Sequence, residues 1–516
     1  MNFVSVEGIR QAEAQLLSRH PEMGPALMQQ AGQALATRLR SLLPFASATT
    51  PRIRFLAGAG NNGGDAFAAA AWLARQRIPV DVWLPLPEEK IRGSARLFWD
   101  LLRRENQVDC RFLTTEEEWR SLPSSDEEVP GILVDALLGT GASGPLRGTL
   151  AYAAAYMQTH RCRSIVVAVD VPTGWNAATG ESSPGTVWAD YTLTMGYPKT
   201  GMAKPNAVEA VGTVWVHPFD HLNERSEWAF TPDPPHLELV TEREIRTWVR
   251  RRKRDTHKGT FGSLLLVGGS AEYAGAMVLA TEAAARSGAG RIHVWTSPEA
   301  AAAIRTRCPE AIMVQAGGWD ASVSLAGYQA ILIGPGLGRS PEARRLVARF
   351  LQETPCPLVL DADALRLMEN NLAPIRRCSR QVVLTPHPGE LGSLLGTSAA
   401  AVQQDRLDAA KRATEETRAV VVLKGAGTLI AKAGCRSWLN LNGNPGMATG
   451  GSGDVLAGLL TGWLGQGMEP MEAAALSVWL HGCAGDQAAL RHTPHAMRAG
   501  DVVEELASVC RRARLW

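Results

Sequence analysis

The amino-acid sequence predicts an α/β protein with two domains, each built on a mainly parallel sheet covered by helices. Short runs rich in valine, isoleucine and leucine alternate with longer alanine-rich helical segments along the chain, which is the pattern of such sheets. The length of 516 residues exceeds what one ordinary core holds and favours two large domains. A hydrophobic content of 45% is ordinary for globular proteins, so disulfides or structural metals are not needed for folding.

The predicted strands fall into two groups separated by a segment of different composition. Residues 219–239 contain three prolines, many charges and weak periodicity, which predicts a linker. We therefore assign residues 1–222 to the first domain, 223–240 to the linker and 241–516 to the second domain. The strand-like runs, in chain order, are RIRFLAG, VDVWLP, GILVDALLGTG, SIVVAVDVPTG and YTLTMG in the first group, and GSLLLVGGS, RIHVWTS, AILIGPGLG, PLVLDADAL, QVVLTPHPGE and AVVVLKGAGTLI in the second.

The charge balance excludes a general attraction to nucleic acid or to anionic membranes. Lys plus Arg number 53 against 51 for Asp plus Glu, which gives a formal charge of +2. The basic run RRRKRD at Arg250 to Asp255 lacks interleaved aromatic residues, so we interpret it as a solvated loop. Small molecules, not nucleic acid, are the expected partners.

The cysteines and the hydropathy pattern indicate the expected compartment. The eight cysteines are scattered without a C-x-x-C pair, which is typical of reduced structural thiols. The N-terminal residues lack the apolar core of a leader, and no window approaches the roughly 18 uninterrupted apolar residues of a membrane span. We expect a cytoplasmic protein without a membrane partner, and a homo-oligomer.

A glycine-rich loop near the C-terminus ends on an aspartate at the start of an apolar helix. The stretch NGNPGMATGGSGDVLAGLLTGW places Gly450 to Gly453 directly before Asp454. Free backbone N–H groups and the positive end of a helix attract phosphate, whereas the Asp454 carboxylate would repel it. The conflict disappears if the anion occupies the glycine loop while Asp454 faces the hydroxyl of a second molecule. This arrangement suits phosphoryl transfer, with helix capping by Asp454 as the alternative.

Further candidate residues follow the strands of the second domain. Ligands of open α/β sheets bind beyond the carboxyl ends of the strands, and glycines there let another molecule approach the backbone. Each feature taken alone is explained by a turn, a helix cap or a surface lysine. Five such strand ends together with the Asp454 loop favour one site. The candidates are Gly268–Ser270, Gly334–Gly338, Asp361 with Asp363, Thr385–Glu390 and Lys424–Thr428.

These residues resemble the ADP/ATP-dependent NAD(P)H-hydrate dehydratases, a branch of the ribokinase-like fold. The similar motifs are HKGTFGSLLLVGGS, YAGA, GPGLG, DADAL, TPHPGE, LKGAGT and NPGMATGGSGDVLAG, in this order between about His257 and Asp486. The resemblance implies that Asp454 is the base acting on the substrate hydroxyl and that Mg²⁺ bridges the nucleotide phosphates. It assigns Lys424, Gly425, Ala426, Gly427, Thr428 and Gly453 to the nucleotide, Ala276, Gly338, His387 and Asp454 to the hydrated dinucleotide, and makes Asp361, Asp363 and Glu390 candidates for the water shell of Mg²⁺.

The implied reaction fits the chemistry of these groups. A hydroxyl on the hydrated dihydronicotinamide ring is a poor leaving group, and phosphorylation makes it a good one. A base at Asp454 takes the hydroxyl proton as the phosphoryl group arrives, after which the lone pair of the ring nitrogen expels phosphate.

The first domain has its own glycine turn, in the stretch LAGAGNNGGDAFAAAAWLARQ. This turn lacks the Lys-Ser/Thr of a P-loop and does not fit the G-x-G-x-x-G spacing well, which disfavours ATP hydrolysis and an ordinary dehydrogenase site. Asp135 and Asp170 follow two other strands, and Lys199 follows a third. Turn-forming or surface roles remain open for Asp170 and Lys199.

Together with PALMQQAGQALA, these motifs resemble the NAD(P)H-hydrate epimerases, between about Val4 and His217. The resemblance implies a Rossmann-like three-layer sandwich, with Asp170 at the reacting ring and Asp170 and Lys199 as the acid/base pair. A K⁺ ion held by Asn62, Asp135 and Thr173 fits their oxygen ligands. The implied substrate contacts are Asn61, Asn62, Gly63, Gly64, Asp65, Gly139, Thr140, Gly141, Ala142, Ser143, Gly144, Pro145 and Asp170.

Two positions depart from the pattern of many relatives. Thr173 replaces a serine and keeps the hydroxyl, whereas Ala66 replaces a glycine and adds a methyl group that would narrow the pocket.

Both resemblances point to one metabolite, which favours a bifunctional repair enzyme for hydrated NADH and NADPH. The epimerase would interconvert the R and S hydrates, and the S-specific dehydratase would use ADP and release AMP and phosphate. The preferred hydrate and the choice of ADP over ATP cannot be read from the residues; ADP is the expectation from the two-domain fusion. The alternatives are a ribokinase-like kinase for a vitamin precursor, and a dinucleotide sensor with an inactive first domain.

Overall fold

The computed structural model describes residues 1–43, 50–105, 107–122, 129–141, 144–219, 231–319 and 323–515. These residues form two compact units, Met1–Leu237 and Glu238–Trp516. Residues 223–230 of the predicted linker, and Ala142 and Ser143 of the predicted substrate contacts, lie outside the described residues. None of the described helices combines the length and the apolar character needed to cross a bilayer.

The first unit contains a seven-stranded, fully parallel sheet with the order β3-β2-β1-β4-β5-β6-β7. The chain reverses its direction of travel between β1 and β4, so the crevice beyond these two strands is the expected ligand position. The strands are β1 Ile53–Ala57, β2 Val80–Leu84, β3 Asp109–Phe112, β4 Ile132–Ala136, β5 Ile165–Val169, β6 Tyr191–Met195 and β7 Thr213–His217.

Helices cover this sheet. Leu56, Trp83 and Leu133 of the strands pack with Trp119 and Met157 in one buried cluster, which places α5 and α6 on one face. Helices α2, α3 and α4 pack against one another, and α3 contacts β1, β2 and β4. The helices are α1 Val6–Arg19, α2 Met23–Leu42, α3 Asn61–Arg75, α4 Gly93–Leu102, α5 Glu116–Arg120, α6 Thr149–His160 and α7 Ala207–Val211.

The second unit contains a ten-stranded sheet with the order β11-β10-β9-β12-β13-β14-β15-β16-β17-β8. The strands from β11 to β15 are parallel, whereas β15, β16 and β17 pair antiparallel. The direction of travel reverses between β9 and β12. The strands are β8 Leu237–Leu239, β9 Ser263–Val267, β10 Arg291–Thr296, β11 Ile312–Ala316, β12 Ala330–Ile333, β13 Leu358–Leu360, β14 Val382–Leu384, β15 Val420–Leu423, β16 Thr428–Ala431 and β17 Ser437–Asn440.

The helices of the second unit include a tightly packed group, α9, α17, α18 and α19, whose buried side chains form one core with the sheet. The helices are α8 Glu242–Trp248, α9 Ala274–Arg286, α10 Pro298–Arg307, α11 Pro341–Glu353, α12 Asp363–Leu367, α13 Ala373–Arg377, α14 Pro388–Leu395, α15 Ala399–Gln404, α16 Arg406–Thr417, α17 Ser452–Gly465, α18 Pro470–His492 and α19 Ala499–Arg512.

The predicted α/β class is confirmed, and every strand-like run forms a strand. The sequence analysis missed β3, β7, β8, β11 and β17, which lie at the sheet edges or in the antiparallel part. Strands there are not covered on all sides, so they lack the continuous apolar run that marks a central parallel strand. β8 lies within the residues predicted as linker.

Two glycines of α17 let this helix pack closely on α9. A Cβ on Gly458 would lie 2.0 Å from the carbonyl oxygen of Ala280, and a Cβ on Gly462 would lie 1.9 Å from the Ser287 hydroxyl oxygen. Because α17 begins at the glycine loop, the packing of α17 against α9 also fixes the position of that loop.

We therefore expect Gly458→Ala to lower the free energy of unfolding of the second unit by about 1–3 kcal/mol, because the added methyl meets backbone that cannot rotate away. The control is Gly500→Ala in α19, where a Cβ meets nothing within 4 Å. It should be neutral or stabilising by up to about 1 kcal/mol. Denaturant unfolding of both variants checks this, and equal stability of the two would contradict the packing argument.

Candidate active sites

The site of the second unit lies beyond the carboxyl ends of its central strands. The turns after β9 and β12 touch through their backbones, since the N–H of Gly269 donates to Pro335 O at 2.8 Å and that of Ser270 donates to Gly336 O at 2.6 Å. A Cβ on Gly334 would lie 1.9 Å from Asp361 O, at the end of the next strand. These glycines are therefore required for the strand ends to meet, as their sequence positions suggested.

Asp454 lies in the first turn of α17, and the residue that caps this helix is Gly451, with φ 94°. The alternative role of Asp454 as the N-cap is therefore wrong. The pKa of the Asp454 carboxyl is raised to about 7, first by burial and then by the carboxylates of Asp361, Asp363 and Glu390, against the opposing charge of Lys424. A carboxyl that titrates near neutral pH is suited to accept a proton in catalysis.

Lys424 is a half-buried cation of this site, where Arg339 and Arg366 also pair with Asp363 and Glu390. Its Nζ lies 2.9 Å from Asp361 Oδ1 and 3.9 Å from Glu390 Oε2. It would also lie 3.2 Å from a Cβ on Gly453, so it faces the glycine loop. Burial lowers the pKa of Lys424, but the carboxylates of Asp361 and Glu390 outweigh this and leave the pKa raised. Lys424 thus remains charged beside the loop predicted to hold phosphate.

The predicted nucleotide segment, Lys424 to Thr428, forms the turn of the β15–β16 hairpin. Gly425 and Gly427 adopt φ of 141° and 67°. Buried Arg406 holds this turn from behind, where its Nη2 donates to Leu423 O and Gly427 O, each at 3.2 Å, and to Lys424 O at 3.4 Å. Arg406 was missed by the sequence analysis, because it is on α16 and has no motif of its own.

The three residues predicted to contact the hydrated dinucleotide lie around the same strand ends. Ala276 lies against the turn after β12, since a Cβ on Gly336 would lie 3.3 Å from its Cβ. Gly338 donates its N–H to Asp363 Oδ2 at 3.0 Å. His387 caps α14, and its Nδ1 accepts from the N–H of Gly389 at 3.0 Å. The structure thus brings these residues to the carboxylates that surround Asp454, while their substrate contacts remain predictions.

Two side chains of α18 support the loop before α17 and were also missed. Asp486 accepts from the N–H of Gly443 at 3.1 Å and from Asn444 Nδ2 at 3.2 Å. His481 Nε2 lies 3.2 Å from Ser452 Oγ, and burial lowers the pKa of His481 to about 4. A neutral imidazole and a carboxylate therefore anchor the two ends of the segment 443–452, which contains the start of the glycine loop.

The carboxylates suggested for the Mg²⁺ water shell are each occupied by protein donors. Asp361 accepts from Thr385 Oγ1 at 2.7 Å in addition to Lys424, and Glu390 accepts from the N–H of His387 at 2.9 Å. In the part of the chain that the structure describes, three or more His, Cys, Asp or Glu side chains do not gather closely enough to hold a metal ion. Direct binding of Mg²⁺ by these carboxylates alone is thus not favoured.

The site of the first unit lies between the ends of β1 and β4. A Cβ on Gly58 would lie 2.0 Å from Leu137 O, so the two turns touch. Asn62, in the first turn of α3, donates from Nδ2 to Val169 O at 2.7 Å and to Leu138 O at 3.2 Å. One amide therefore ties α3 to the ends of β4 and β5.

Asp170 and Lys199 form a direct ion pair, as their proposed partnership requires. Asp170 follows β5 with φ 66°, a left-handed conformation that aims its carboxylate at the lysine. Lys199 is 1% exposed, bonds to Asp170 Oδ1, and also donates to Thr194 Oγ1 at 2.8 Å and Met195 O at 3.0 Å. Lys199 is therefore not the surface residue that the alternative suggested, whereas Asp170 does lie in a turn, where the N–H of Val171 donates to Val169 O at 2.8 Å.

Asp135 and Thr173, two of the predicted K⁺ ligands, are bonded to each other. Asp135 is fully buried and accepts from Thr173 N and Thr173 Oγ1, each at 2.7 Å. Burial raises the pKa of Asp135 to about 6, against the hydrogen bonds from Thr173. Among the described residues no basic side chain forms an ion pair with Asp135. Asn62 Oδ1 would lie 2.6 Å from a Cβ on Gly139, so the third ligand faces the predicted substrate loop.

Two further residues of this site lie on α1 and were missed by the sequence analysis. Arg10 Nη2 donates to Thr140 O at 2.6 Å. Glu13 interacts electrostatically with Asp170 and Lys199. Helix α1 precedes every motif that resembled a known family, so no spacing pattern connected it with the site.

The remaining predicted substrate residues lie around the same crevice, where Gly63 packs on the turn after β1 and Asp65 is buried. Ala66 is fully buried in α3, so its methyl group offers no surface to a ligand and does not narrow an open pocket. The predicted residues that the structure describes here are Asn61, Asn62, Gly63, Gly64, Asp65, Gly139, Thr140, Gly141, Gly144 and Pro145.

Fold and sites define a two-domain α/β enzyme, with a Rossmann-like unit followed by a ribokinase-like unit. Residues 24–201 match the family model described as YjeF-related protein N-terminus, and residues 264–508 match that described as NAD(P)H-hydrate dehydratase. The solved ADP/ATP-dependent NAD(P)H-hydrate dehydratase from Bacillus subtilis, co-crystallised with ATP/Mg²⁺, is 35% identical with a TM-score of 0.50, over 53% of this chain and 98% of that one.

Relatives of full length also match. The bifunctional NAD(P)H-hydrate repair enzyme of Moorella thermoacetica is 36% identical over 89% of this chain and 87% of its own length. That of Thermofilum pendens is 32% identical over 99% of both chains. The chain therefore belongs to the family of bifunctional NAD(P)H-hydrate repair enzymes.

The raised pKa of Asp454 predicts a stability change that does not depend on activity. Between the ordinary value of 3.8 and the folded value of about 7, the unfolded chain releases this proton while the folded protein keeps it, so stability falls as pH rises. Asp454→Asn mimics the protonated form and should be more stable above about pH 7, by on the order of a few kcal/mol.

Thermal unfolding from acid to mildly alkaline pH checks this prediction, with exposed Asp255→Asn as the control. The Asp454→Asn variant should gain over wild type as pH rises, and the control should not. A constant difference at all pH values would contradict the burial effect.

Proposed function

We propose that the protein restores hydrated NADH and NADPH to their native forms. The first unit interconverts the R and S hydrates, and the second uses ADP to dehydrate the S form with release of AMP and phosphate. The observation that carries the proposal is the position of Asp454, a half-buried carboxyl with a pKa of about 7, between the glycine loop and charged Lys424. The relatives named as bifunctional repair enzymes support both reactions.

In the dehydratase, the chain supplies a base, a cation and a set of backbone donors. The Asp454 carboxylate accepts the proton of the substrate hydroxyl as that oxygen attacks the terminal phosphorus of ADP. The N–H groups up to Gly453, at the start of α17, bind the phosphate oxygens. Lys424 stabilises the transferred charge. The ring nitrogen's lone pair then expels phosphate and leaves an iminium ion. Loss of a proton from the neighbouring ring carbon to the released phosphate or to water restores the reduced ring.

Nucleotide and Mg²⁺ would enter this unit together. The turn Lys424 to Thr428 would hold the nucleotide, and Ala276, Gly338 and His387 the hydrated dinucleotide. When bound to the phosphates, Mg²⁺ neutralises the charge that develops on them. Asp361 and Glu390 are held by protein donors, so they suit contacts to the water shell of the ion better than direct ligation.

In the epimerase, Asp170 would act at the hydroxyl-bearing carbon, with its charge maintained by Lys199. The substrate would lie between the first turn of α3 and residues 139–145. Fully buried Asp135, without a basic partner in the described chain, fits a neighbouring cation, and its carboxylate, the Thr173 hydroxyl and the Asn62 amide offer the oxygen ligands that K⁺ takes. When bound, K⁺ would neutralise Asp135 and fix the loop. Cytoplasmic location and homo-oligomerisation remain predictions.

The first test follows the absorbance of the reduced nicotinamide when an R/S mixture of hydrated NADH is given enzyme, Mg²⁺ and ADP. Wild type should restore the full absorbance. Asp170→Asn should stop at the S fraction, because the R form is no longer converted. Asp454→Asn should lower the rate by about 10²–10⁴-fold, because the base is lost. AMP and phosphate should appear in proportion to the absorbance.

Exposed Asp255→Asn, with the same chemical change, should behave as wild type. A stable phosphorylated product without recovery of absorbance would replace the proposal by a small-molecule kinase. Recovery of only the S fraction by wild type would show that the first unit binds ligand without catalysis.

A second test concerns K⁺. Replacing K⁺ by Li⁺ should slow epimerisation by about 10–100-fold and leave dehydration of pure S hydrate unchanged, because only the first unit uses the ion. Thr173→Ser should keep the response to K⁺, whereas Thr173→Val, which lacks the hydroxyl, should lose it. Equal effects of the ions on both reactions would refute the assignment of K⁺ to Asp135 and Thr173.

A further inference from the structure

The epimerase site contains more buried acid than its proposed mechanism uses. Asp65 is 8% exposed, and its side chain forms no hydrogen bond or ion pair with any described residue. Burial raises the pKa of Asp65 well above its ordinary value, and the charges of Asp170 and Glu13 raise it further. The pKa of Glu13 is likewise raised, by burial and then by Asp170, against Lys199 and Arg10.

Three elements bring these groups together. The bond from Asn62 Nδ2 to Val169 O places the first turn of α3, with Asp65 one turn on, beside Asp170. The N–H of Val4 donates to Pro198 O at 3.0 Å, and the N–H of Thr200 donates to Val4 O at 3.1 Å. The start of α1 is thus paired with the segment that carries Lys199.

Helix α1 also forms a hydrogen bond at the opposite side of the crevice, where Arg10 donates to Thr140 O at 2.6 Å. Glu13 follows Arg10 by three residues, so the two side chains lie on one face of the helix. This face is directed at the site, in agreement with the electrostatic interaction of Glu13 with Asp170 and Lys199.

The surrounding charges favour different protonation states for Asp170 and Asp65. Lys199 bonds directly to Asp170, so the opposite charges of the two side chains cancel. A second buried carboxylate would lack a cation, which favours the protonated form of Asp65. The site then holds one proton acceptor, Asp170, and one proton donor, Asp65, as acid/base catalysis requires.

We propose that Asp65 donates a proton to the ring nitrogen during epimerisation, and that Glu13 is a positioning residue that keeps this proton on Asp65. The inference rests on the epimerase function proposed above.

The step balances within the site. The Asp170 carboxylate takes the proton of the hydroxyl on the hydrated carbon, that oxygen forms a carbonyl, and the bond from the carbon to the ring nitrogen breaks. The nitrogen keeps the electron pair and takes the proton of Asp65. Rotation presents the other face of the carbonyl, and the reverse transfers close the ring with the opposite configuration and return both protons.

The experiment uses the full-length chain and pure S hydrate without nucleotide, and follows the appearance of the R form above its spontaneous rate by chromatography at several pH values. Asp65→Asn keeps the size of the side chain, but an amide cannot donate a proton to the ring nitrogen as a carboxyl does. The variant should therefore lower the enzymatic rate by about 10²–10⁴-fold. Thermal unfolding confirms that the variant is folded.

Glu13→Gln provides the second arm. Without the Glu13 charge, Asp65 faces only Asp170 and loses its proton at lower pH, so the alkaline limb of the rate profile should move down by about one unit. Exposed Glu7→Gln on the same helix should leave the profile unchanged.

The outcomes separate the two proposals. If wild type does not interconvert the hydrates, the epimerase function itself fails. If wild type is active but Asp65→Asn keeps its rate, Asp65 is not the donor. If Glu13→Gln lowers the epimerisation rate at every pH and the alkaline limb of the profile does not move, Glu13 has only a structural role. Its positioning role would then be overturned.

Discussion

Each candidate site depends on a lysine that lies among several carboxylates. Lys199 bonds to Asp170, with Asp65 and Glu13 beyond it, and Lys424 bonds to Asp361 while Asp454 lies near. In a partly desolvated site the lysine stabilises the charge of the nearest carboxylate. The other carboxylates are less well compensated, which favours their protonated forms. This imbalance raises the pKa of the remaining carboxyls, to about 7 in Asp454, which suits them for acid/base chemistry on a hydroxyl.

A second constraint is the contact between the turns at each switch point. In both units the turns after two adjacent strands touch backbone to backbone, with a Cβ on Gly58 or Gly268 lying about 2 Å from a neighbouring carbonyl oxygen. Only glycine fits such an approach. The close contact brings side chains from separate strands to one edge, so catalytic groups far apart in the chain become neighbours. The packing of α17 on α9 gives the glycine loop the same rigidity.

The two units differ in how they use these features. The second places the Asp454 carboxyl directly after a glycine loop, an arrangement that suits the anion binding and proton removal proposed above. The first has a buried carboxylate and hydroxyl beside its crevice, the oxygen donors proposed above to hold K⁺. One chain therefore combines the epimerase and dehydratase parts of one repair function, with the same metabolite serving both.

The sequence by itself determined the α/β class, the central parallel strands and the residues that directly follow them, because a buried parallel strand is a continuous apolar run and its end is marked by glycine and acid. It could not reveal the edge strands, whose outer sides are uncovered and leave weaker patterns. Nor could it place Glu13, Arg406 or His481 at the sites, since these lie on helices whose local sequence reflects packing alone. Only the tertiary structure decided that the pKa values of Asp454 and Asp65 are raised, because a pKa depends on burial and on charges brought near by folding.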